Sequence, residues 1–119
     1  MKLWIDDLRP PPVGWTWAKT SAGAIDVIEH VWQWEVGYPV PEDDFLEAVS
    51  FDHDLGGDDT TRPVMTWFCT YDQWPGAIYV HTSNTVGRQW LIGTADRYAP
   101  ETTDIIEVWP GVDGSLPDM

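Results

Sequence analysis

The apolar run at residues 2–5 stops abruptly at Asp6 and Asp7, the pattern of a buried strand whose end emerges into solvent. The pattern returns twice. Residues 47–51 run into Asp52-His53-Asp54-Leu55-Gly56, and residues 77–80 run into His81-Thr82-Ser83-Asn84. Looser alternation predicts a further short strand over residues 15–19, and residues 104–109 predict a last one at a sheet edge. Helical stripes lie between these runs. Ile25, Val27, Ile28, Val31 and Trp32 line one face of a helix predicted over residues 21–34, with Thr20 or Ser21 as its cap. Val64, Trp67, Phe68 and Tyr71 fall at i, i+3, i+4 and i+7 behind Pro63, which suits a first helical position. Trp90, Leu91 and Ala95 share a face of a third helix, predicted over residues 86–98.

Three consecutive prolines and Gly14 prevent a regular helix at residues 9–14 and predict a stiff loop. Residues 37–45 and 56–62 read as surface loops, and Trp74-Pro75-Gly76 as a turn. Strands alternating with helices predict an α/β fold. We expect three layers, with a small, mostly parallel sheet of four to five strands covered on both faces, receiver- or flavodoxin-like in its 2-1-3-4-5 order. The proline-rich loop replaces the first helix of that plan. In this order the first, third and fourth strands are neighbours, about 4.8 Å apart, so their polar ends meet at one crevice. Residues 1–109 make one domain, and residues 110–119, rich in glycine, proline and acid, are expected to be a flexible tail.

Charge narrows the ligands. Twenty acidic residues against six basic ones leave a net charge of −14, which disfavours duplex nucleic acid and repels small anions unless a metal ion or local cations reverse the sign. Cys69 is the only cysteine, so an intrachain disulfide framework and a multi-cysteine zinc site are excluded and a reducing cytoplasm fits, a host's cytoplasm were the chain viral. No stretch approaches the roughly 20 apolar residues of a membrane span, and the early acids and prolines argue against a signal peptide. The nine tryptophans are scattered through all segment types and read as bulky core filler; Trp15, near the first acidic loop, is the one candidate to stack on a base.

Carboxylates converging on one point repel one another unless protons or a hard cation intervene. Asp6, Asp7 and Asp52 therefore suggest a divalent metal site for Mg²⁺ or Mn²⁺, which Asp54 widens. His53 and His81 extend the choice to Zn²⁺ or iron and supply acid or base near neutral pH, with Asp52 beside them. Turn capping and local hydrogen bonds explain any one such burst; recurrence at three strand ends favours a site. Of four arginines, Arg9, Arg62 and Arg88 lie close to a burst or to the helix after it, as a phosphate ligand would require. Ser83-Asn84-Thr85-Val86-Gly87 leads into a helix N-terminus, which suits either a phosphate cradle or a plain N-cap. Arg9, Thr82, Ser83, Asn84, Gly87 and Arg88 are the candidate substrate contacts.

The segments MKLWIDDLRPPPVGW, SFDHDLG and VHTSNTVGR, taken together and in order, resemble the cyclic-phosphate processing receiver-like family over residues 1–97. The resemblance implies a divergent response-regulator receiver fold and an active site at Asp6, Asp7, Asp52, His53, Asp54, His81 and Asn84, with Gly87 and Arg88 opening the helix. It implies action on nucleotides or RNA ends that carry cyclic phosphates. Thr82 replaces the family's usual serine, Thr85 its usual proline, and Thr61-Arg62-Pro63 its usual Thr-Gly pair. The expected activity is metal-assisted hydrolysis of a cyclic phosphate on a nucleotide or related small molecule. The alternatives are a module that binds a cyclic nucleotide without cleaving it, as a viral nucleotide-sequestering protein would, and a receiver phosphorylated on Asp52. A conventional receiver carries a lysine on its fifth strand, and residues 104–109 contain none.

Overall fold

A computed structural model of the chain describes residues 1–32 and 46–109. It contains β1 (Lys2–Ile5), β2 (Thr16–Ala18), α1 (Ser21–Val31), β3 (Ala48–Phe51), α2 (Arg62–Tyr71), β4 (Ala77–Val80), α3 (Thr85–Tyr98) and β5 (Asp104–Glu107). The five strands form one parallel sheet in the order β2-β1-β3-β4-β5. This is the receiver-like α/β arrangement expected from the pattern. The expected loop at 37–45, the last two residues of the first predicted helix and the expected tail at 110–119 lie outside the described residues.

Helix starts follow their caps. Thr20 accepts from Gly23 N at the head of α1, and Asn84 accepts from Gly87 N at the head of α3. Helix α2 begins at Thr61 without a side-chain cap, and Pro63 in its first turn removes one of the N–H groups that would want one. Its far end turns through Asp72, in the left-handed region at φ 50°.

Strand alternation sorts the core into two clusters. Leu3, Ile5, Val49, Phe51, Ile78 and Val80 point to one face, where they pack with buried residues of all three helices, among them Ile28, Met65, Phe68 and Leu91. The opposite face carries no helix among the described residues. Trp15, from the segment between β1 and β2, packs there instead, so among the described residues the sheet carries helices on one face only, not on both as expected. Trp4 is fully buried there with Trp15 and Ala48; Trp15 meets Trp4 edge to face at 6.0 Å, and the Trp4 indole N–H donates to Arg9 O at 2.8 Å. Burying an indole this completely is worth about 3 kcal/mol, which ties the loop to the sheet. Trp15 is thus core and offers no open ring to a base.

Candidate functional site

Register builds the site. Ile5 pairs with Phe51 and Phe51 with Val80, so the residues that follow them, Asp6, Asp52 and His81, stand in one row along the carboxyl edge. Alternation turns the row toward the helix-free face. The ladder continues one step beyond the strands, with Asp52 N donating to Ile5 O and His81 N to Phe51 O, both at 2.9 Å. Main-chain pairing therefore fixes the positions of these three residues.

Asp6, Asp7 and Asp52 each present a carboxylate oxygen such that the three lie within 4.8 Å of one another. They line a cavity of about 460 Å³ together with Leu8, Arg9, Asp54, Gly56, Thr82 and Ser83. The size suits a small organic ligand. Burial pushes the Asp6 carboxyl up, but hydrogen bonds from His81 and from the backbone N–H groups of Arg9 and Leu8 outweigh it and hold Asp6 below the ordinary value. Asp52 lies above its ordinary value because burial and the neighbouring Asp6 charge outweigh the Thr82 hydroxyl, His81 and the His53 N–H. The pair shows the repulsion that a cation would relieve.

Asp54 stands apart from the three. Its carboxylate accepts from the Asn84 amide at 2.8 Å and from His53 Nδ1 at 3.0 Å, and it lies below its ordinary value, with the Asn84 bond the largest cause. Arg62 Nε donates to His53 Nε2 at 2.9 Å, so that nitrogen is the acceptor and Nδ1 carries the proton. The His53 ring is 5% exposed, and both of its nitrogens are occupied. The ten-residue connection after β3 holds this group in place: Asp54 bridges Thr60, Thr61 N donates to His53 O, and Gly56 and Gly57 take positive φ values of 86° and 55° at the turn. Asp59 fastens the same connection to α1 by accepting from Ser21 N and Oγ.

His81 is wholly buried between Ser50, Asp6 and Trp4. Neither histidine lines the cavity, which departs from their expected place at the reacting atoms. The arginines divide in the same way. Arg88 is 2% exposed and donates to the carbonyls of Val80, Thr82 and Val108, with Trp109 stacked on its guanidinium at 3.5 Å. It clamps the ends of β4 and β5 and does not reach the expected phosphate position. Arg62 is held by His53 and the Trp90 ring. Arg9 alone of the arginines lines the cavity, and its guanidinium has no hydrogen bond, ion pair or ring contact among the described residues.

Thr82 and Ser83 lie on the cavity wall, whereas Asn84 and Gly87 lie behind it. Asn84 caps α3 and holds Asp54; Gly87 gives the His53 ring room. Ser50, Trp4 and Leu8 had no expected role at the site. Strand period was the available signal for the first two, because Trp4, Asp6, Ser50 and Asp52 share one face of their strands. The model of the family described as cyclic-phosphate processing receiver domain matches residues 1–97. No curated protein and no solved structure matched the chain.

Proposed function

Because the chain belongs to the cyclic-phosphate processing receiver domain family, we propose that it hydrolyses a cyclic phosphate on a nucleotide or related small molecule, with a divalent cation at Asp6, Asp7 and Asp52. The supporting observation is the three-carboxylate cluster sharing one cavity with the unpartnered Arg9 guanidinium. The donor set fits a hard cation. Among the described residues only carboxylate oxygens converge, no imidazole or thiol joins them, and Asp52 carries the raised proton affinity of an uncompensated acid, so Mg²⁺ or Mn²⁺ suits the site better than Zn²⁺. Such an ion supplies Lewis-acid polarisation of a phosphoryl oxygen.

The chain's own residues supply the remainder. Arg9 holds non-bridging phosphoryl oxygens by charge-assisted hydrogen bonds, the Ser83 hydroxyl orients the ligand from the cavity wall, and the Thr82 hydroxyl holds Asp52. Asp54, kept anionic by Asn84, repels a misplaced phosphate and so narrows the productive pose. With both histidines enclosed and Asp52 ligating the cation, the proton for the leaving oxygen comes from solvent. The test is turnover of cyclic mononucleotides, cyclic dinucleotides and ADP-ribose cyclic phosphate with Mg²⁺, Mn²⁺ or Zn²⁺. No turnover of any of them, or turnover unchanged by Asp52→Ala, would sink the proposal.

One observation favours a second function, capture of a cyclic nucleotide without cleavage. Both histidines at the site are enclosed with their nitrogens occupied, so the cavity lacks an imidazole acid or base. Ligand recovered intact after denaturation of a tight complex selects this alternative. For a phosphoryl-accepting receiver, the fifth strand, Asp-Ile-Ile-Glu, supplies no lysine. Acetyl phosphate should leave Asp52 unmodified.

A further inference from the structure

Behind the cavity lies a chain of three buried polar groups. Ser50 Oγ is 2.7 Å from His81 Nδ1, and His81 Nε2 is 3.0 Å from Asp6 Oδ2. Ser50 and His81 are fully buried and Asp6 is 1% exposed. The order resembles a nucleophile relay, but the serine has no access to a substrate. The relay points outward instead, toward the carboxylate.

Counting acceptor positions shows what the relay controls. A carboxylate has about four lone-pair sites. Oδ1 of Asp6 accepts from Leu8 N and from Arg9 N, both at 2.9 Å, and Oδ2 accepts from His81. The remaining acceptor site is on Oδ2, and its direction is set by where His81 sits. Because an ionised Asp6 oxygen only accepts, the His81 nitrogen facing it, Nε2, carries a proton, and Nδ1 is the nitrogen left to the Ser50 hydroxyl. Trp4 fixes the plane of the ring, stacking on it at 4.0 Å between centroids and 5° between planes, while its own N–H holds Arg9 O.

We infer that Ser50 is a positioning residue: through His81 it fixes the tautomer and ring placement that aim the remaining Asp6 acceptor site into the carboxylate cluster. The inference rests on the proposed cation site, and it assigns His81 to orientation rather than to proton transfer. Groups that donate to a ligating side chain from behind commonly change metal affinity by about 10–100-fold when removed. Without the Ser50 hydroxyl, Nδ1 loses its donor, the other tautomer becomes accessible, and Asp6 loses the bond that orients Oδ2.

The experiment compares wild type, Ser50→Ala and Ser50→Thr, with folding checked by thermal denaturation. Nitrogen-15 spectra of labelled imidazoles, with His81 assigned by His81→Gln, should show the Nε2–H tautomer in wild type, a mixture in Ser50→Ala, and recovery in Ser50→Thr. Mn²⁺ binding followed by electron paramagnetic resonance should weaken about tenfold or more in Ser50→Ala and return toward wild type in Ser50→Thr. An unchanged His81 tautomer in folded Ser50→Ala overturns the inference, as does unchanged Mn²⁺ affinity. Wild type that binds no Mn²⁺ overturns the cation site, and the tautomer comparison in metal-free protein then decides the relay alone.

Discussion

Gly87 lies so close to His53 that a Cβ added to it would stand 2.3 Å from Cγ of the ring. No side chain fits at that distance, and the ring cannot retreat without giving up Asp54 or Arg62. Gly87→Ala is expected to destabilise the protein by about 2 kcal/mol through overpacking. Chemical denaturation measures the loss, and in a His53→Ala background the same change should cost distinctly less. An equal cost in both backgrounds would place the clash elsewhere.

Arg88 and Arg9 should separate stability from binding. Arg88→Met takes the guanidinium from the carbonyls of Thr82 and Val108 and leaves Val80 O only its bond from Val108 N, a loss on the order of 3 kcal/mol. Arg9→Ala removes a guanidinium with no partner among the described residues, so stability should change by less than about 0.5 kcal/mol, while affinity for a cyclic-phosphate ligand falls about tenfold or more. Calorimetric unfolding and ligand titration on both variants check the pair. The reverse pattern would return Arg88 to the ligand.

Cation binding should strengthen as pH rises. Asp52 lies above the ordinary carboxylate value of 3.8, so the stability its proton contributes is complete below 3.8 and is lost as pH rises through the raised value. A cation competes with that proton, and Mn²⁺ affinity therefore increases across the window above 3.8. Mn²⁺ titrations from about pH 4 to about pH 7, where unperturbed carboxylates finish titrating, measure the slope. A flat affinity through that window would remove Asp52 from the donor set.

The opposite sign holds at Asp54. Its lowered value means that its interactions stabilise the fold above 3.8 and are lost as pH falls through the depressed value. Asn84→Ser keeps an oxygen to cap α3 but loses the amide that donates to Asp54. The acid side of the stability curve should become shallower in this variant, as read by denaturant midpoints below pH 5, a region of carboxylate titration. An unaltered acid limb would mean that the bond contributes little in solution.

Strand order and the meeting of three polar ends were legible in the sequence, because short apolar runs that stop at acids or at a histidine carry position as well as type. Facing was harder to read. Arg88 falls with Leu91 and Ala95 at i, i+3 and i+7 on the buried stripe of α3, so helix period already pointed its guanidinium inward, against the expectation drawn from its nearness to a phosphate cradle. His81 lies two residues beyond Tyr79 and shares its face, which the indoles cover. The enclosure of that face depended on Trp15 and the loop folding over Trp4, a long-range fact that no local period encodes.

The three prolines after Arg9 have a consequence for the thermodynamics of recognition. Each fixes one backbone dihedral before folding begins, and the Trp4 bond to Arg9 O fixes the start of the segment. Such a loop has little conformational freedom left to lose when a ligand arrives. Complex formation at this edge should therefore show a small unfavourable ordering entropy, with affinity governed by how well the ligand's charge matches that of the cavity wall.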